Sequence, residues 1–144
     1  LGETNIGELS KRVFGSQAFS VGLGSAVGTV YAADEWGRPG KVRCLRPARA
    51  DSYEGLFSRI DWPAFSLPFR EESCADLAEA LTPPRLERAV GVLYLPETER
   101  LSHYFAASLP EQFDEYVFVN RTSAVDPLPQ VPERDVADLF PTGL

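Results

Sequence analysis

Short runs in which apolar residues recur at every second position alternate along this chain with segments in which they recur every three or four. No other feature constrains the fold as much, because period two gives a strand one apolar face and period 3.6 gives a helix one apolar stripe. Phe19, Val21 and Leu23 alternate in this way, which places them on one side of a sheet. Ahead of them Ile6, Leu9 and Val13 recur on one helical face, with Asn5 as N-cap, Glu8 three residues later, and Gly15 where a helix can end. Residues 29–33, 41–45, 64–67, 89–94 and 116–119 read as further strands, 89–94 being the most strongly marked. Further helices are expected after Asp51, with Asp51 as cap and Glu54 at the capping-box position, over 73–81 until Pro83-Pro84 stops it, and from Pro96 through Phe105. Strands alternating with helices predict an α/β fold, a largely parallel sheet of about four to five short strands with flanking helices, forming an incomplete domain.

The length of 144 residues suits one compact domain, and 44% hydrophobic with 24% charged residues is a globular balance. A net charge of −7 lacks the basic footprint that phosphate backbones require, so nucleic acid is not an expected partner. No apolar run approaches the roughly 20 residues that cross a bilayer, and no signal segment opens the chain, so a cytoplasmic location without membrane attachment is expected. Cys44 and Cys74 are too few and too far apart for a disulfide framework or a metal spacing; both read as reduced thiols. No metal or other cofactor is expected. The chain has no methionine and begins Leu1-Gly2-Glu3, so a piece of a longer protein is the expectation. Residues 1–128 read as the domain and 129–144 as a proline-rich, acidic tail.

Several residues invite a chemical role. The glycines of 22–28 resemble a phosphate loop, but their Gly-x-Gly-x-x-x-Gly spacing is one residue too long for a dinucleotide fold and no long helix follows. They read instead as a flexible loop or a pocket wall. Ser25 lacks the flanking glycines of a nucleophile elbow, and a triad of Ser25, His103 and a carboxylate has nothing positive in its favour. Lys41, Arg43, Arg46 and Arg49 read as the solvated face of a strand, and Glu71, Glu72, Glu97 and Glu99 as exposed charges at helix ends. His103 is the chain's one histidine; without a second acid or base it reads as a side chain that bridges backbone groups.

Ordered segments along the chain carry a resemblance. Gly2 to Leu9, Val21 to Gly24, Gly28 to Val30, Glu35-Trp36-Gly37, Asp51-Ser52-Tyr53-Glu54, Pro84 to Val92, Pro96 to Arg100, Ser102 to Phe105 and Gln112-Phe113-Asp114 are similar to the latter part of the erythromycin esterase family. The chain departs from that pattern at Ser25-Ala26-Val27, at Leu101 and at Asn120-Arg121. The resemblance implies a hydrolase that opens the lactone ester of macrolides with histidine-activated water and glutamate support, without an obligatory metal, and is linked to antibiotic resistance. It also implies that those catalytic histidines and glutamates lie upstream of Leu1, so that this chain holds no catalytic residue and is inactive by itself. In the complete enzyme the loop after the Phe19 to Leu23 strand and the helix start at Ser52-Tyr53 are expected at loop ends where α/β folds place binding sites, so Gly24, Ser25, Ser52 and Tyr53 are the expected substrate-binding residues for a macrolide-like ester. His103 matches a histidine outside the catalytic set and is expected to be structural or at the pocket edge. A non-catalytic binding or interaction module derived from the family is the alternative expectation.

Overall fold

The computed structural model describes residues 6–128; the expected N-cap Asn5 and the tail 129–144 lie outside them. Helix α1 (Ile6–Phe14) ends at Gly15, whose φ of 54° is the left-handed conformation a terminating glycine adopts. Then come β1 (Val21–Ala32), β2 (Lys41–Leu45), α2 (Tyr53–Phe57), β3 (Ala64–Pro68), α3 (Ala75–Leu81), β4 (Arg85–Arg88), α4 (Glu99–Ser102), β5 (Tyr104–Ala107), α5 (Leu109–Gln112) and β6 (Glu115–Thr122).

The architecture is mixed α/β, but the sheet is not largely parallel. Four strands run in the order β2-β1-β6-β3, and only β1 and β6 are parallel; β4 and β5 form a separate antiparallel pair. The cause is connection length. Residues 33–40 between β1 and β2 are too few for a crossover, whereas most of the chain lies between β1 and β6.

The expected loop at 22–28 is the interior of the longest strand. Gly22 and Gly24 stand opposite Tyr116 and Phe118 in β6, and a Cβ on Gly24 would sit 2.0 Å from the Tyr116 hydroxyl oxygen. Gly28, with φ of 127° and no room for a Cβ against the Thr122 backbone, marks where β1 turns from β6 towards β2. These glycines serve close approach between strands.

Tyr116 and Phe118, with Phe65 and Leu67 of β3 beside them, face a core of Tyr53, Phe57, Leu81 and Leu109. Phe57 is its centre, meeting Phe65 and Phe118 edge-on with ring centroids 5.6 Å apart in each case. On the opposite side of the same strands stand Val21, Leu23, Ser25, Val117 and Val119; Val21 and Leu23 are exposed, Leu23 at 74%, and Ser25, Val117 and Val119 are half-buried. The apolar stripe of α1 is likewise exposed, with Ile6 at 82% and Val13 at 72%. Asp114 ties this region to the sheet, accepting from the Ser20 amide at 2.6 Å and from Arg70 Nε at 2.7 Å.

Two more expectations fail for local reasons. Residues 89–94 form no strand; after β4 they make only an isolated bridge, Leu93 to Ala33, and Val92 is exposed. The helix expected through Phe105 stops at Ser102, and Tyr104 and Phe105 enter β5 as partners of Arg88 and Glu87. In α2 the cap is Ser52, which accepts from the Gly55 amide, while Asp51 pairs with Arg49.

Candidate functional site

A groove of about 410 Å³ opens on the uncovered face of the sheet, a size that suits a drug-sized molecule. Leu23, Gly24 and Ser25 of β1 border it, with Val119 of β6 and residues 122–125 opposite and Val90 and Gly91 at one end. Its lining is mostly apolar, with the polar residues Ser25, Thr29, Tyr31, Arg88, Thr122 and Ser123 among it. Thr29 Oγ1 accepts from the Ala124 amide at 2.9 Å, which draws the chain after β6 across the groove.

Behind the groove Arg88 holds the wall. Its side chain is almost fully buried; Nη2 donates to the carbonyls of Ser25 and Ala26, and Nη1 to Arg46 O at 2.8 Å and Glu99 Oε1 at 3.2 Å. Glu99 therefore is not the exposed helix-end charge expected of it. Its Oε1 also accepts from the Tyr94 hydroxyl at 2.8 Å, and that hydroxyl in turn accepts from the Arg46 amide. Burial, followed by the Glu99 carboxylate, pushes the Tyr94 phenol up to about 12 although the Arg46 amide opposes the shift, so Tyr94 stays a donor. In this network Arg88 and Tyr94 hold backbone groups, and Glu99 holds those two side chains in place. The cations of the basic stretch are also engaged locally: Lys41 and Arg43 with Asp34, Arg46 with Pro96 O, and Arg49 with Asp51.

The five residues singled out by sequence do not share one site. Gly24 and Ser25 line the groove. Ser52 is fully buried, donating to Arg49 O and capping α2. Tyr53 is buried on the other side of the sheet with its hydroxyl within reach of Leu81 O at 2.9 Å and Ala107 O at 3.1 Å, and it borders a separate cavity with Pro84 and Leu86. His103 lies at the C-terminus of α4. Its Nε2 accepts from the Leu95 amide at 2.9 Å, so Nδ1 carries the proton and donates to Ala89 O at 3.2 Å. One imidazole thus clips the two ends of the 89–95 segment together, and neither ring nitrogen is left for Ser25.

Sequence reasoning missed the buried charges. Glu54 and Glu87 lie in the core between α2 and β4, and Glu54 had been given a capping role. The signal was present in the alternation of β4, since Arg85 and Glu87 point to one side of the strand and Leu86 and Arg88 to the other. Glu87 and Arg88, on opposite faces of this strand, are both buried.

The comparisons with known proteins agree with this fold. A family model described as Erythromycin esterase matches residues 1–122. A crystal structure of a succinoglycan biosynthesis protein matches 83% of this chain with a TM-score of 0.66 at 19% identity. A crystal structure of a protein from Bacillus cereus matches 78% with a TM-score of 0.63 at 18% identity. At such identities the likeness speaks for the fold alone. The chain spans 28% of the length of the first of these proteins and 27% of the second. With the family model matched over most of its length, the chain belongs to the erythromycin esterase family.

Proposed function

We propose that this chain is the C-terminal part of a hydrolase that opens the lactone ester of macrolide-like compounds, and that it supplies one wall of the substrate pocket. Water activated by a histidine upstream of Leu1 would add to the ester carbonyl, and the carbonyl–alkoxide bond would break to leave a hydroxy acid. The observation that carries this reading is the apolar groove on an uncovered sheet face in a chain that spans 28% of its structural neighbour. A half-buried apolar sheet is stable when another layer covers it. The upstream part of the polypeptide is the layer we assign to Val21, Leu23, Val117 and Val119, and it would close the groove over Gly24 and Ser25.

A non-catalytic binding module remains the second reading, favoured by one observation: the sole histidine has both ring nitrogens bonded to backbone, so it offers the groove no free base. The two readings separate in a hydrolysis assay. Erythromycin is incubated with residues 1–144 and with a polypeptide extended upstream, and addition of one water is followed by mass spectrometry. Product from the extended protein alone is the expected result. No product from either, with saturable macrolide binding, supports the module instead; turnover by residues 1–144 overturns both.

A further inference from the structure

One wall of the groove lies beyond the family match. That match ends at Thr122, and Ser123, Ala124 and Val125 line the groove. Their position follows from β1. At Gly28 this strand turns from β6 towards β2, so β6 has no β1 partner after Thr122 and the chain leaves the sheet there. Two hydroxyls meet it at that point. Thr122 Oγ1 lies 3.4 Å from the carbonyls of both Val27 and Thr29, and Thr29 Oγ1 accepts from the Ala124 amide at 2.9 Å. Among the described residues, 124–128 make no other hydrogen bond. Ala124 is half-buried, whereas Val125 lines the groove and is 73% exposed, so its methyl groups face whatever enters.

We propose that Ser123-Ala124-Val125 is a strap that limits the size of ligand the groove admits, and that Thr29 is the positioning residue that latches it. The proposal rests on the reading of the groove as a substrate wall and adds what sets its selectivity. The opposite wall does not yield, because the Ser25 and Ala26 carbonyls are held from behind by buried Arg88. The strap hangs on one neutral hydrogen bond, a constraint modest enough to be broken without unfolding the sheet. A ligand that fits meets a wall already ordered and loses no affinity to ordering it. A bulkier ligand has to displace the strap, which leaves the half-buried Ala124 amide without its acceptor. Discrimination between the two comes from that second cost.

Three variants test the strap. Thr29→Val keeps the side chain's shape and removes the acceptor, Thr29→Ser keeps the acceptor, and Val125→Ala trims the rim without touching the latch. Exchange of the Ala124 amide with deuterium, followed by NMR on residues 1–144, reads the latch. Selectivity is read on the upstream-extended polypeptide as the ratio of half-saturating concentrations for tylosin, a macrolide of larger ring, and erythromycin. These come from hydrolysis where turnover occurs and from calorimetric binding where it does not.

Thr29→Val is expected to speed exchange and to lower the tylosin-to-erythromycin ratio, each by about threefold or more. Thr29→Ser should restore wild-type values of both, and Val125→Ala should lower the ratio with exchange unchanged. An unprotected Ala124 amide in the wild-type protein, an unchanged ratio in folded Thr29→Val or Val125→Ala, or no rescue by Thr29→Ser would each overturn the proposal. Circular dichroism establishes folding, and Val125→Ala decides the matter if Thr29→Val unfolds. A shifted ratio without turnover upholds the strap and removes the hydrolase reading; turnover with an unchanged ratio does the reverse; saturation by neither compound overturns both.

Discussion

On one side of the β1–β6 pair Tyr116 and Phe118 are fully buried, and on the other Leu23 and Val21 face outward from the same strand interior. The packed side is dense in aromatic rings, with Tyr53, Phe57, Tyr116 and Phe118 buried against one another. The open side carries valines, a leucine and hydroxyls around a groove, with no group fixed across it by charge. Under the proposed reading, one set of strands serves stability on its buried face and recognition on its open one. The difference lies in what faces β1: Gly22 and Gly24 admit the Tyr116 ring on one side, and Leu23 and Ser25 project on the other.

That contrast can be broken most severely at Arg88. Replacement by methionine leaves the Glu99 carboxylate buried without its cation, a loss of about 3–5 kcal/mol in urea unfolding. A Glu99→Gln, Arg88→Met double variant should recover part of it. The two faces are compared directly by Phe118→Ala, expected to cost about 3–5 kcal/mol, and Leu23→Ala, expected to stay within about 0.5 kcal/mol in residues 1–144. Equal effects would mean that both faces are packed. Gly24→Ala should lose about 1–3 kcal/mol, because its methyl group would meet the Tyr116 hydroxyl.

The smallest expected effect is a pH slope. Burial opposes ionisation of Asp114, yet the Ser20 amide and Arg70 outweigh it and hold its carboxyl below the ordinary 3.8. Its contribution to stability is therefore complete above 3.8 and fades as the pH falls through the lower folded value. Asp114→Asn should flatten the acid limb of the unfolding midpoint against pH.

Local features were legible in sequence where the interaction was local. The alternation of Val21 and Leu23, the helix at α3 and the strand at β6 follow from spacing, whereas Phe19, expected on the same strand, lies before β1. Strand direction was not, since it depends on which strands meet across the intervening chain, as β1 and β6 do. The glycines of β1 looked like a loop because the ring they accommodate, Tyr116, lies far along the sequence. Residues 89–94 have the composition of a strand but lack a partner along most of their length, and the His103 ring supplies bonds at their two ends. For the site, Gly24 and Ser25 fall on the groove, while Ser52 and Tyr53 are occupied in the core. The family resemblance marked segments, and segments do not say which face a residue takes.

The central claim, that the open face of the sheet forms a substrate wall, is tested most directly by the KM for erythromycin of Ser25→Trp in the upstream-extended polypeptide. The indole would fill the groove while leaving the packed face untouched. A rise in KM of about tenfold or more, equivalent to about 1.4 kcal/mol, with an unchanged unfolding midpoint is the predicted result. An unchanged KM in a folded, active variant would contradict the assignment.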